Sequence, residues 1–187
     1  MTEGFPGLWR FRADLSGSNS AQRLNQALAW LAEQHLLPFV PVQKSVNIHG
    51  KPFFADLPAL HFSLSHCQSE WVCLIASAPV GIDIEQIRGC RQEAIARRFF
   101  HPLEQAWLSQ HPQAFFQIWT AKESVVKWSG TGIGEDFSRF SVVDETGRLS
   151  ETPDYRLIPF ATKKGTPGTM CLSASLMVTI MNWIEAR

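Results

Sequence analysis

The chain has no excess of charge of either sign: lysine plus arginine number 17, and so do aspartate plus glutamate. Five of each sign precede Ala78 and twelve of each follow it, so neither half offers the net basic surface that nucleic-acid phosphates select, which argues against generic DNA or RNA binding. Cysteine is scarce. Cys67, Cys73, Cys90 and Cys171 form no C-x-x-C pair, and the nearby histidines give no zinc spacing, so free thiols in a reducing compartment are expected. Long apolar runs are absent too. No stretch approaches the roughly 18 apolar residues of a membrane span, and Met1 to Phe5 lacks a basic start followed by an apolar run. A soluble, cytoplasmic protein is the expectation, and no internal repeat is visible.

What is present is enough chain for a real core. A length of 187 residues buries roughly 70% of the unfolded surface, and seven Trp with thirteen Phe make that core aromatic-rich. Residues 14 to 20 read as a polar loop whose Ser/Asn end caps a helix, and Ala21 to Leu37 carries Leu24, Leu28, Leu31 and Ala32 at helical spacing before Pro38. Phe62 to Ser65 and Trp71 to Ala76 read as strands around a turn at Gln68 to Glu70, with Val80 to Glu85 as a third. Arg91 to Phe100 reads as a helix, Pro102 opens another, and Pro112 opens a long one that ends at the glycines after Ser129. Phe137 to Val143 and Cys171 to Ile180 alternate like strands on either side of a turn at Asp144 to Gly147. Periodicity alone gives an α+β fold, with a boundary at Ala78-Pro79 dividing 1–78 from 79–187.

Two segments carry chemistry. In Gly81-Ile82-Asp83-Ile84-Glu85 a strand points Ile82 and Ile84 into a core, while Asp83 and Glu85 share the other face about 6 to 7 Å apart, a spacing that grips one hard cation. In Trp119-Thr-Ala-Lys122-Glu123-Ser-Val-Val-Lys127 a helix sets Glu123 and Lys127 four residues apart on one face. Carboxylates and lysine around Mg²⁺ suit a diphosphate. The bland alternatives are a solvated edge-strand face for Asp83 and Glu85, and an ordinary helix pair for Glu123 and Lys127. Lys122 points about 100° away from Glu123 and reads as solvated, Trp119 as core, and Ser124 has no activating partner to make it a nucleophile.

The pattern G-I-D-I-E, then F-F-H-P-L-E-x-x-W-L, then F-F-x-I-W-T-x-K-E-S-x-x-K, with Gly50-Lys51-Pro52 and Phe62-Ser-Leu-Ser65-His66 upstream, resembles the 4′-phosphopantetheinyl transferases, of the Sfp type and specifically the short bacterial holo-acyl-carrier-protein synthases. Five blocks fall in the family's order between about Gly50 and Gly132. The resemblance implies two pseudo-symmetric α+β halves forming one pseudo-dimeric unit that works as a monomer. The first half would meet coenzyme A phosphates, and the second would hold Mg²⁺ and the catalytic residues. It gives Asp83 and Glu85 the Mg²⁺ role, and makes Glu123 a third ligand, the base for the carrier serine, or both. Lys127 would neutralise the diphosphate and the leaving 3′,5′-ADP, with Lys51, Ser65 and His66 on coenzyme phosphates. One departure stands out: the family's N-terminal arginine for the 3′-phosphate has no counterpart in register, and Ala21 to Leu37 offers only Arg23.

Residues 88 to 98 hold Arg88, Arg91, Arg97 and Arg98 against Glu93 alone, which reads as a solvated helix face or as a dock for an acidic carrier protein. The resulting expectation is Mg²⁺-dependent transfer of phosphopantetheine from coenzyme A to a carrier serine. The rivals are a Mg²⁺-dependent pyrophosphohydrolase and a non-catalytic coenzyme A- or carrier-binding relative.

Overall fold

Strand β5 (Glu70–Ala76) is buried at every position, and its alternating faces explain the layering. Trp71, Cys73 and Ile75 enter a core with helix α1 (Ser20–Glu33), whereas Val72, Leu74 and Ala76 enter another with strands β6 (Val80–Ile84) and β8 (Pro167–Ser173). In the computed structural model, which describes residues 7–16, 18–176 and 183–186, two antiparallel-built sheets therefore lie face to face. In the first sheet, β1 (Leu8–Asp14) pairs with β5, which pairs with β4 (His61–Cys67), and a short β9 (Ile184–Glu185) adds to the outer side of β1 in parallel. In the second, β8 lies between β6 and β7 (Tyr155–Ala161). Helix α1 covers the outer face of the first sheet, and α4 (Phe115–Ser129) covers the outer face of the second. Each buried Val, Leu or Ile along these faces contributes about 1.5–3 kcal/mol.

The remaining elements are a small hairpin of β2 (Lys44–Val46) and β3 (Pro52–Phe54), and helices α2 (Gln92–Phe99) and α3 (Pro102–Gln110). The α+β class holds, with four α-helices and small, mainly antiparallel sheets among the described residues. The division at Ala78-Pro79 falls between β5 and β6, but it does not separate the halves cleanly, because β9 pairs with β1 across Phe11↔Ile184 and Arg12↔Glu185. Helix α1 also ends at Glu33, short of Pro38, with His35 in the left-handed region at φ 56°. Pro112 opens a 3₁₀ turn that leads into α4, whose C-terminus is capped by left-handed Gly130 as expected.

The expected strand over Phe137 to Val143 does not form. Glu135 to Ser138 is a 3₁₀ turn, and Phe137 packs its ring edge-on to Phe99 and against Trp119. The backbone then gives its polar groups to side chains: Phe140 O accepts from Lys122 Nζ at 2.6 Å and Val142 N–H donates to Glu104 at 2.8 Å. The Asp144 turn forms, its carboxylate accepting from Thr146 N and Arg148 N. Of the Cys171 to Ile180 strand, the described part ends at Ser173, and 177–180 lie outside the described residues. No helix among the described residues is long and apolar enough to cross a membrane.

Candidate active site

Alternation on β6 sends Val80, Ile82 and Ile84 into the core between the sheets, and turns Gly81 and Asp83 toward α4. Gly81 is what lets the helix come so close: a Cβ there would lie 1.9 Å from Ser124 O and 2.6 Å from Trp128 N. That approach brings Lys127 onto Asp83. Lys127 Nζ donates to Asp83 Oδ1 at 2.7 Å and to Ile82 O at 3.1 Å, and Ser65 Oγ donates to the same carboxylate oxygen at 2.8 Å. The second oxygen, Asp83 Oδ2, is buried without a hydrogen-bond partner among the described residues.

The other two carboxylates are held by the same approach. Burial pushes Glu123 up to about 7, Asp83 and Glu85 push the same way, and Lys127 opposes them. Glu85, just beyond β6, is raised by burial and by Asp83, against the opposing pull of Arg88, the Trp119 indole and Lys127. Each of the pair thus senses Asp83 as a negative neighbour. Among the described residues no three His, Cys, Asp or Glu groups converge tightly enough to hold an ion as they stand. Asp83 holds an ammonium instead. The favourable Glu123–Lys127 helix pair is likewise replaced by the Asp83–Lys127 bridge.

Glu123 and Lys127 open onto a cavity of about 290 Å³ whose other walls include Lys51, Phe62, Leu64 and Val126. Lys51 Nζ donates to Trp128 O at 2.9 Å, capping the C-terminal carbonyls of α4, and burial lowers its pKa to about 8. Ser65 and His66 both lie within β4: Ser65 is buried, its hydroxyl committed to Asp83, and His66 is exposed. Arg23 donates to Asp14 O at 2.6 Å and to Ala186 O at 3.1 Å. Arg88, Arg91, Arg97 and Arg98 are exposed; Arg97 pairs with Glu93 at 2.7 Å, and Arg98 lies over the Phe99 ring.

Lys122 overturns its solvated reading. Its side chain is fully buried, with Nζ 3.0 Å from Glu104 and 4.1 Å from the centre of the Phe140 ring. Glu104 also accepts from His101 N–H in a capping box at the start of α3. Trp119 packs among Phe99, Phe100 and Phe115 as core, and Ser124 Oγ donates to Ala121 O, which agrees with its being no nucleophile.

Asn47 went unnoticed in the sequence. Its Oδ1 accepts from His49 N–H and Lys51 N–H, and its Nδ2 donates to Gly130 O at 2.9 Å, fastening the Lys51 loop to the end of α4. The signal was an Asx turn, Asn followed by a His-Gly pair with Gly50 at φ 85°.

A family model described as the 4′-phosphopantetheinyl transferase superfamily matches residues 79–164, the span that holds Asp83, Glu85, Glu123 and Lys127. Across that span the chain is similar to the superfamily. It is 39% identical over 116 residues to a 4′-phosphopantetheinyl transferase of Bacillus subtilis, covering 58% of this chain and 51% of that protein. It is 34% identical over 131 residues to the 4′-phosphopantetheinyl transferase Sfp of Bacillus subtilis strain 168, at 66% and 58%. To the 4′-phosphopantetheinyl transferase AcpT of Escherichia coli K12 it is 35% identical over 111 residues, at 54% and 57%. The chain spans little more than half the length of the curated relatives it matches. Lys51, Ser65 and His66 precede the region the superfamily model covers; geometry brings Lys51 to the cavity and Ser65 to Asp83.

Proposed function

We propose that the protein transfers the 4′-phosphopantetheine arm of coenzyme A to a serine of an apo carrier protein and releases 3′,5′-ADP. The supporting observation is geometric and electrostatic: Lys127 bridges to Asp83, Asp83 raises the proton affinity of Glu85 and Glu123, and Glu123 and Lys127 line a cavity that Lys51 also lines. The superfamily match and the relatives' names agree with it.

The donor set fits a hard divalent cation: three carboxylates in mutual repulsion, with a buried Asp83 oxygen that nothing among the described residues satisfies. Asp83, Glu85 and Glu123 would hold Mg²⁺, which when bound supplies charge neutralisation and Lewis-acid polarisation for a diphosphate.

The carrier serine oxygen forms its bond to the β-phosphorus of coenzyme A as the bridging P–O bond breaks and the electron pair leaves with 3′,5′-ADP. Glu123, whose proton affinity is raised in the metal-free protein by burial and by Asp83 and Glu85, takes the serine proton as general base. Lys127 and Lys51, which line the cavity, face the diphosphate and its departing charge, and exposed His66 would meet a coenzyme phosphate as the family resemblance implies. Ser65 is left out of the phosphate contacts, because its proton already lies on Asp83. Since carboxylates and lysines come from one chain, a monomer suffices. The four free cysteines suit a cytoplasmic setting. The arginines of 88 to 98 present a positive edge to an acidic carrier.

Incubation with coenzyme A and Mg²⁺, with and without a panel of apo carriers, tests this by intact-protein mass spectrometry. The expected result is carrier gaining the phosphopantetheine mass with stoichiometric 3′,5′-ADP. Carrier-independent cleavage of coenzyme A would make the protein a pyrophosphohydrolase, and binding without turnover a non-catalytic relative.

A further inference from the structure

Strand β6 is an edge strand, paired with β8 on one side only. Buried amides on its open side must still find partners. They find hydroxyls: Ile82 N–H donates to Ser63 Oγ at 3.1 Å and Ile84 N–H donates to Ser65 Oγ at 3.3 Å. The match is geometric, since serines two residues apart on β4 project from the same face, as do amides two residues apart along one edge of β6. The two serines then differ. Ser63 makes no hydrogen bond to Asp83, whereas Ser65 places its proton on Asp83 Oδ1 at 2.8 Å, in a position where its residue is only 7% exposed.

A hydroxyl has one proton to give. With that proton on Asp83 and a lone pair taken by Ile84 N–H, Ser65 has nothing left to donate to a phosphate oxygen, which only accepts. We propose that Ser65 is a positioning residue for Asp83: it fixes the carboxylate so that Oδ1 faces Lys127 while the unpartnered Oδ2 is presented to the divalent cation. The inference rests on the cation assignment made above. It differs from the role the family resemblance implies for this serine, a contact to the coenzyme.

The experiment measures Mn²⁺ affinity by electron paramagnetic resonance and coenzyme A affinity by calorimetry, in the wild type, Ser65→Ala, Ser65→Cys and Ser63→Ala, with folding checked by circular dichroism. Losing a partner that orients a metal ligand is expected to weaken Mn²⁺ binding by about tenfold or more. Ser65→Ala should show that loss with coenzyme A affinity changed less than about twofold. Ser65→Cys, which keeps the volume but donates poorly, should follow it, and decides the matter if the alanine variant does not fold. Ser63→Ala should lower the melting temperature with Mn²⁺ affinity intact. Ser65 variants that lose coenzyme affinity and keep Mn²⁺ affinity overturn the proposal in favour of a phosphate contact. Equal Mn²⁺ losses in Ser63→Ala and Ser65→Ala overturn it in favour of general loosening between the sheets. A wild type that binds no Mn²⁺ overturns it as well, and the separate carrier assay then shows whether the transferase reading falls with it.

Discussion

Lys122 and Lys127 lie on the same helix, and each meets a carboxylate from another element, yet the two pairs are built for opposite ends. At Lys122–Glu104 both side chains are wholly buried and the hydrogen-bonding capacity is used up by Phe140 O, Val142 N–H and His101 N–H. At Lys127–Asp83 the lysine is 30% exposed to the cavity side, and one carboxylate oxygen is buried with no partner. A saturated pair fixes where chain segments go, because any change leaves a buried charge uncompensated. An unsaturated pair beside two more carboxylates stores a demand for positive charge that a ligand can meet. The difference between structure and chemistry here is leftover capacity, not residue type.

The largest effect should come from breaking the saturated pair. Lys122→Met leaves Glu104 buried and alone, and should cost about 3–5 kcal/mol of stability in denaturant unfolding. The double variant Lys122→Met with Glu104→Leu should recover most of it, since an apolar replacement removes both charges together. Recovery would sharpen the comparison; none would mean the pair also carries the 140–142 segment through its hydrogen bonds.

At the unsaturated pair the loss should fall on rate. Asp83→Ala and Glu123→Ala are expected to slow carrier modification by at least about 10²-fold while circular dichroism and melting stay close to wild type, and EDTA should imitate them reversibly. Near-normal turnover of Glu123→Ala with metal saturating would falsify its assignment.

The pH dependence of stability follows from Glu123. Its folded pKa, about 7, lies above its ordinary value of 4.5, so between those values the folded protein keeps a proton that the unfolded chain has released. Metal-free stability should therefore decline as pH rises through that window. Glu123→Gln should flatten the decline, as measured by urea midpoints across the pH series. A curve identical in both proteins would place the excess negative field elsewhere.

Lys51→Ala is expected to have a smaller, selective effect, raising KM for coenzyme A more than it lowers kcat, as initial rates across coenzyme concentrations would show. Some loss of stability should accompany it, because Lys51 also caps α4. An unchanged KM would leave that cap as its whole role. The smallest effect is expected at the rim: Arg91→Glu or Arg98→Glu should raise KM for the carrier and weaken its salt dependence while KM for coenzyme A stays put, because exposed charges act over about 8 to 10 Å at ordinary salt. No change across a salt series would leave the cluster as a solvated helix face.

Much of the site was legible because it depends on periodicity. Strand alternation alone turned Ile82 and Ile84 one way and Asp83 the other, and helical spacing put Glu123 and Lys127 on one face of α4. The hairpin of β4 and β5 and the Gly130 cap were legible for the same local reasons. Strand β1, the β2–β3 hairpin and β7 were not, since short strands with mixed faces carry little signal until partners are known. Phe137 to Val143 misled because alternation reports faces and is silent about which groups take the backbone hydrogen bonds; here the takers were Lys122 and Glu104, from two other helices.

By itself, then, the order of residues determined the α+β class, the strand that bears Asp83 and leads to Glu85, the helix that bears Glu123 and Lys127, and the αL cap after Ser129, because each follows from the two periods and from glycine's freedom at positive φ. Only the tertiary structure decided that Lys127 meets Asp83 in place of Glu123, that Lys122 is buried, that Ser65 serves β6, and that β9 returns to β1. Those outcomes turn on which surfaces meet. A lysine's partner and a hydroxyl's acceptor are chosen by what lies within about 3 Å once the layers close, and the α4–β6 layer closes as it does because Gly81 has no side chain to keep the helix away.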